Sequence, residues 1–405
     1  MTSTASDIVA PAAANRLPWP GLLALAMAGF VTILTEALPA GLLPQIGASL
    51  RVSEALAGQW VSVYALGSLL AAVPLTHATA AFRRRPVLLA AIAGFAVANS
   101  VTALSSVYTV TLAARFLAGV SAGLLWALIA GYAARMVADR LKGRAIAVAM
   151  VGTPLALSLG IPAGTLLGGI VGWRLCFGLM SLLSLLLILW VLARLPDFPG
   201  QRQAARLSPA AVLALPGIRP VLVVTLAFVL AHNLLYTYIA PVLAGTGTAL
   251  RTDLALLVFG AAALLGIGLV GIAIDRRLRL LALGATALFI VACLSLAAAG
   301  ASAALLGLGM AIWGLGFGGT ATLFQTALAR AAGPATDTAQ SMLVTAWNLA
   351  IAGGGLFGGL LLDVAGARAL IWAPLPLLIL ALAVTLQAKR HGFPSPQSSA
   401  KEGQP

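Results

Sequence analysis

The chain has 405 residues, of which 61% are hydrophobic and only 8% charged, and it carries a formal net charge of +14. Soluble domains hold about 25% charged residues, so a water-facing shell around a core is excluded. With a mean hydropathy of +1.05 and apolar runs of about twenty residues, the sequence is that of an all-α integral membrane protein. The positive charge does not describe a nucleic-acid surface, because the basic residues recur in clusters between apolar runs instead of forming one patch. Cys176 and Cys293 sit at or inside apolar runs without metal-type spacing and are expected to be packing residues. No metal site is expected. The opening "MTSTASDIVAPAAANRLPW" holds one basic residue and no cleavage-type sequence follows it, so the first helix is expected to be retained.

Breaking the chain at Gly, Pro and charge clusters predicts twelve spans. The first, 20–45, contains "GFVTILTEALPAGLLPQI", a wholly apolar run around one acid, Glu36; Pro39 and Pro44 are expected to loosen its far end. The second, 56–80, ends beside His77 and a run of arginines, where an interfacial role is expected for the histidine. The third covers 86–104. The fourth, 107–137, carries Arg115, with Trp126 eleven residues later and near its face. In the fifth, 143–171, Gly160, Gly164 and Gly168 recur every four residues and Gly169 follows; such a stripe clears one side for a neighbouring helix. The sixth covers 173–195.

The longest polar stretch comes next, "RLPDFPGQRQAARLSPAAVLALPGIRP", with the Pro, Gly, Gln and Arg content of a linker. The seventh span, 218–244, holds the polar patch His232, Asn233, Tyr236 and Tyr238, and a spacing of four puts His232 and Tyr236 on one face. The eighth and ninth cover 253–274 and 279–299. The tenth, 302–331, has Trp313 and Phe317 on one face and Gln325 further on. Asn348 lies in the eleventh, 337–364, and the twelfth covers 368–388. The division is therefore a first six-helix bundle (1–195), a linker (196–217), a second bundle (218–388) and a tail (389–405).

Of the 24 Lys and Arg, nineteen fall on the side of the termini. Arg51, Arg174, Arg251 and Arg368 fall on the other, and Arg115 lies inside a span. That imbalance puts both termini in the cytoplasm. The halves echo each other: "THATAAFRRRPVLLAA" and "GIAIDRRLRLLALG" are basic turns in matching places, and Gly164, Gly168 and Gly169 align with Gly354, Gly358 and Gly359. Two related halves with a site between them is a transporter layout.

Three ionisable side chains lie well inside spans: Glu36, Arg115 and His232. Each costs roughly 2.5 to 3.5 kcal/mol at a helix centre, so each needs a partner, a wet cavity or a neutral state. Glu36 and Arg115 share a depth and are expected to pair; the pair is either a structural brace or a site whose proton comes and goes as burial and charge compete. His232 is either a neutral, hydrogen-bonded imidazole or a transport residue. Asn348 and Gln325 line a cavity or bridge helices. No GxxxxGK[ST] loop and no catalytic constellation is present, so neither ATP-driven transport by this chain alone nor an enzyme is expected.

These residues resemble the major facilitator superfamily along the whole chain, and within it the twelve-span drug/proton antiporters that include arabinose and sugar efflux permeases. "RFLAGVSAG" looks like the family's arginine motif, which implies a proton-coupling role for Arg115. "GIPAGTLLGG" is similar to its glycine-rich antiporter motif, with Thr165 where a proline is usual. "TEALPAGLLPQI", "YTYIAP" and "TAWNLAIAGGGLFGG" look like the sugar-efflux branch. The loop after the second span departs from the pattern: Thr76, Ala80 and Ala81 stand where Gly, Asp and Arg are usual, whereas the second-half copy keeps Gly271, Asp275 and Arg276, on which any cytoplasmic latch would rest.

The resemblance implies a monomeric exporter in the bacterial inner membrane, surrounded by lipid, using no cofactor and driven by the proton gradient through alternating access of two bundles. Spans one, four, seven and ten would line the cavity, with Glu36 binding the proton, Arg115 modulating it, and His232, Asn233, Tyr236 and Trp313 meeting a small-molecule substrate. Drugs and sugars are the expected cargo. A proton-driven importer shares the architecture, and a non-transporting membrane sensor is the remaining alternative.

Overall fold

The structure is a computed structural model in which residues 16–138, 141–200 and 208–394 are described. Among the described residues, twelve helices are long and apolar enough to cross a membrane: Trp19–Leu50, Glu54–Thr76, Arg84–Leu104, Tyr108–Arg135, Arg144–Val171, Trp173–Arg194, Ile218–Tyr236, Thr252–Ile274, Arg276–Ala298, Ala303–Ala332, Thr338–Ala365 and Ala369–Gln387. The expected all-α, twelve-span architecture is present. Parts of the expected linker (201–207) and tail (395–405) lie outside the described residues. Residues such as Ile170, Ile272 and Val364 stand exposed on the outer surface, as a protein bathed in acyl chains requires.

Four places depart from expectation, and prolines account for two of the departures. A proline removes its own N–H and crowds the carbonyl four residues earlier. In the seventh span that carbonyl belongs to Thr237, four before Pro241; the helix stops at Tyr236 and a separate piece, Ile239–Gly245, follows. The expectation of an unbroken helix to 244 is therefore corrected. In the first span Pro39 and Pro44 do not loosen the far end, and one helix runs through both to Leu50, closing at Arg51 with φ 56°. Between the eighth and ninth spans the helices Thr252–Ile274 and Arg276–Ala298 follow directly on one another, the chain turning at the non-helical Arg277 (φ −132°, ψ 29°). The fifth span also answers a proline: a π-helical turn, Ala156–Gly160, precedes Pro162 and contains Ser158, four residues before it.

The two halves meet mainly on the face away from the termini. There a single apolar core runs from Leu42, Ile46 and Trp173 of the first half into Ile239, Val242 and Leu243 of the second. On the terminal face the first half keeps a core of its own, built on Leu22, Leu25, Leu88, Ile129 and Met136. Hydrogen bonds between the halves repeat the pattern. Gln59 Nε2 of the first half donates to the Gly355 carbonyl of the second at 3.1 Å, an oxygen that also accepts from Tyr238 OH of its own half at 2.5 Å, and Tyr238 OH lies 3.4 Å from the Ala55 carbonyl of the first half.

A strap, Leu195–Gly200, crosses the terminal face of the first half. Arg83 Nε and the Arg85 N–H donate to the Asp197 carboxylate at 2.5 and 3.1 Å, and the Arg84 N–H donates to the Phe198 carbonyl at 2.8 Å. Tyr132 OH holds the Pro196 carbonyl at 2.6 Å, and its ring meets Phe198 edge-on at 5.4 Å. Burial pushes the Asp197 carboxyl up, but the hydrogen bonds and charges of Arg83 and Arg85 outweigh it and hold the group below the usual carboxylate range. The loop in which Ala80 replaces an acid thus takes its counter-charge from further along the chain.

Candidate functional site

Arg115 is fully buried in the fourth span. Its Nη1 donates to the Thr35 carbonyl at 2.9 Å, and its Nη2 donates to Asn99 Oδ1 at 2.8 Å and Thr102 Oγ1 at 3.4 Å. The guanidinium also lies 4.9 Å from the centre of the Phe177 ring and 5.8 Å from that of Trp60. Pro39 explains why the Thr35 carbonyl is available: in an unbroken helix that oxygen would accept from the N–H of residue 39, and proline has none. Arg115 fills the gap, so the first span passes its proline without breaking. Asn99 was not singled out in the sequence. The short connection between Leu104 and Tyr108 brings the two antiparallel spans into register and places it opposite the arginine.

The expected ion pair between Glu36 and Arg115 is not formed. Although Glu36 follows Thr35 directly, successive helical residues diverge by about 100°, and the arginine is engaged on the other side. Glu36 lies near mid-span, about 26 Å along the helix from Trp19 at 1.5 Å per residue. It is only partly buried and among the described residues it makes no hydrogen bond or ion pair. Tyr64 lies close by, its OH donating to the Thr32 carbonyl at 3.2 Å one turn before Glu36.

His232, Tyr236, Trp313 and Phe317 come together, as their helical faces suggested. The His232 ring stacks on Phe317 at 3.7 Å with 12° between planes and on Tyr236 at 4.9 Å with 23°. Trp313 stands across this stack, 5.2 Å and 61° from His232 and 5.9 Å and 75° from Tyr236. Phe228, Phe259 and Phe289, which drew no notice in the sequence, complete the cluster. Only their spacing on three different spans would have pointed to them. Three polar atoms here, His232 Nδ1, Tyr236 OH and Trp313 Nε1, are buried with no hydrogen-bond partner.

The remaining candidates are dispersed. Trp126 lies against Gly29 of the first span, three helical turns from Arg115 and apart from the aromatic cluster. Asn233 and Asn348 each donate to the carbonyl one turn earlier, Val229 and Val344, at 2.9 and 3.0 Å. Tyr238 belongs to the contact between halves described above, not to the His232 cluster, because the helix break at Thr237 turns it away. Gln325 is exposed, and its backbone oxygen accepts from Gln340 Nε2 at 2.9 Å.

The glycine stripe has a clear partner. A methyl group at Gly160, Gly164 or Gly168 would meet Phe30, Leu38 or Leu42 at 2.8, 2.8 and 2.6 Å, so the first span is the neighbour it admits; at Gly169 it would meet nothing. Gly271 has open space and Arg276 is exposed, while the side chains of Asp275 and His77 lie outside the described residues. A cavity of about 330 Å³ opens on the face away from the termini, between Gly41, Gln45, Thr165, Gly169, Leu243 and the Arg251–Asp253 ion pair. It lies beyond Tyr238 from the aromatic cluster, so it is separate from the site.

The chain matches the model of the Major Facilitator Superfamily over residues 25–338. It is 29% identical over 382 residues to the purine ribonucleoside efflux pump NepI of Escherichia coli (strain K12), covering 93% of this chain and 96% of the relative. Against the protein of the same name from Salmonella enteritidis it is 28% identical over 351 residues, with 86% and 88% covered. Among solved structures, the nucleoside transporter NupG superposes with a TM-score of 0.74 at 14% identity, covering 91% of this chain and 99% of that one. The human organic anion transporter MFSD10 gives 0.67 at 19%, with 92% and 100% covered; at such identities the likeness is one of fold. Twelve spans in two facing sets, a buried arginine on the fourth and a family match across most of the length have one conclusion: the chain belongs to the Major Facilitator Superfamily.

Proposed function

We propose that this protein is a proton-coupled exporter of purine nucleosides in a bacterial inner membrane, exchanging inward-moving protons for outward-moving substrate. The observation that carries it is the Glu36 carboxylate, mid-span and partly exposed, with no counter-ion while the nearby arginine is bonded elsewhere. An acid without a fixed partner changes its protonation as its surroundings become wetter or drier. An intramembrane ionisable group of this kind is a proton-relay position by default. Arg115 supports it by fixing the first span at Thr35, so that Glu36 is held in place without being neutralised.

The direction and the cargo come from the relatives, which are named as efflux pumps for purine ribonucleosides. A nucleoside suits the site better than a sugar alone, since aromatic rings outnumber hydrogen-bonding groups around His232. With the basic face in the cytoplasm, the packed face around Tyr238 and Gly355 is the periplasmic one.

Inside-out membrane vesicles with an acidic lumen test this reading. They are expected to accumulate inosine against its gradient, and collapsing the pH difference abolishes the accumulation. In Glu36→Gln, uphill accumulation falls at least tenfold while exchange of internal for external inosine continues. Uphill transport by Glu36→Gln at the wild-type level removes the proton role from Glu36. Accumulation in right-side-out vesicles instead identifies an importer.

A further inference from the structure

We infer that the His232–Phe317 stack is a nucleobase seat with its door shut: Phe317 covers the face of His232 that a purine ring occupies, Trp313 reads the purine's edge, and Tyr236 backs His232 on its other face. The inference rests on the proposed nucleoside export and assigns it a binding site.

The argument begins with the unpaired polar atoms. Buried side-chain donors and acceptors almost always find partners, and exceptions number only a few per hundred residues. Here three meet in one cluster. His232 is 5%, Tyr236 4% and Trp313 0% exposed, so lipid and bulk water are shut out, and each unpaired group weakens the fold. Their chemistry restricts what can satisfy them. The indole N–H only donates, whereas the phenol and the imidazole Nδ1 can do either. The missing partner of the indole therefore carries an acceptor.

Geometry restricts it further. Tyr236, His232, Phe317 and Phe228 form a column of nearly parallel rings, with successive planes 23°, 12° and 16° apart. Trp313 is set across the column. A flat ring system sliding into the column keeps stacking on both faces, and its rim then points toward the crosswise indole. A sugar ring is puckered and offers only hydroxyls. A purine is flat, stacks on aromatic side chains, and has ring nitrogens along its edge.

Phe317 is the ring placed to move. It is only partly buried, unlike Phe259 and Phe289, which are fully enclosed. It also lies beside a break in the tenth span: the helix ends at Gly318, resumes at Thr320, and Gly319 between them has φ −93° and ψ −1°. The Thr320 hydroxyl donates back to the Phe317 carbonyl at 2.7 Å, an alternative to the regular helical bond. A swing at this joint uncovers His232 without disturbing Trp313 one turn earlier.

The test uses the purified full-length chain. Binding of inosine, unsubstituted purine riboside and ribose is measured in detergent, and inosine export is measured in proteoliposomes. Wild type is expected to bind inosine more tightly than purine riboside and both far more tightly than ribose. Trp313→Phe weakens inosine binding about tenfold, the loss of one buried hydrogen bond, whereas Tyr236→Phe, whose hydroxyl lies behind His232, changes it little. Trp313→Phe also brings the inosine to purine riboside ratio close to one. The export KM rises by a similar factor with kcat little changed. The ligand-free melting temperature of Tyr236→Phe stays level or rises, because an unpaired hydroxyl is removed; a purely structural role predicts a fall.

Export of inosine with wild-type KM in Trp313→Phe overturns the seat and leaves the export reading intact. Inosine binding that is sensitive to Trp313→Phe without any export keeps the seat and overturns the export reading. No inosine binding and no export by wild type overturns both.

Discussion

At the scale of single residues, the first span shows how a proline and a buried charge solve each other's problem. Pro39 leaves the Thr35 carbonyl without its helical donor, and Arg115 needs acceptors it cannot find in lipid; the 2.9 Å bond between them serves both. The second branch of the fork reaches Asn99 at 2.8 Å. Lysine keeps the charge but, with a single compact ammonium, holds only one of the two acceptors. A hydrogen bond to a charged group contributes about 1.5 to 3 kcal/mol, so Arg115→Lys is expected to lose roughly that much stability, read as a lower melting temperature in detergent. Unchanged melting shows that the fork is not what holds the first, third and fourth spans together. The sequence displayed Arg115 and Glu36 as anomalies of equal depth, and pairing opposite charges was the simplest inference. What it left hidden was a backbone acceptor four residues before a proline, because a carbonyl has no letter of its own.

At the scale of elements, most span limits were legible to within a few residues, the far ends of the first, second and seventh excepted, since twenty apolar positions between polar breaks leave a helix little choice. The irregularities at prolines inside spans were less so, although three of them obey one rule. Pro39, Pro162 and Pro241 all strip a donor from the carbonyl four positions earlier. The outcomes are an arginine bond in the first span, a π-helical turn in the fifth and a break in the seventh. Which outcome occurs depends on what the neighbouring helix offers, and a single span's sequence does not contain that. The glycine stripe was legible as a close-contact face, but not its partner. Its geometry sets a sharp contrast between Gly164, whose added methyl would meet Leu38 at 2.8 Å, and Gly169, five residues on, whose added methyl would meet nothing. Overpacking costs about 1 to 3 kcal/mol. Gly164→Leu is therefore expected to lower the yield of monodisperse protein on size exclusion, and Gly169→Leu to leave it unchanged. Equal yields show that the first and fifth spans separate easily.

At the scale of the whole molecule, a carrier that alternates between faces has to undo the contact seen here between its halves and remake one on the other side. The contact on this face is localised: Tyr238 and Gln59 converge on one carbonyl, that of Gly355, and a side chain at Gly355 would press on Ser62. A Cβ at Gly355 would stand 3.4 Å from the Ser62 Cβ, at the short end of the roughly 3.5 to 4.5 Å that a disulfide bridges. The native thiols, Cys176 and Cys293, are free and buried, so a new pair at this surface reacts largely alone. Ser62→Cys with Gly355→Cys is expected to cross-link under mild oxidant and to reduce transport in proteoliposomes to background. Reductant restores it, and either single substitution transports with or without oxidant. Binding of inosine from the terminal side is expected to persist in the locked protein, because the cross-link joins the second and eleventh spans whereas the aromatic cluster is built from the seventh to the tenth. If the oxidised double variant transports at the wild-type rate, the halves do not part at Gly355, and the opening of this face has to occur between the first, fifth, seventh and eighth spans around the 330 Å³ cavity instead.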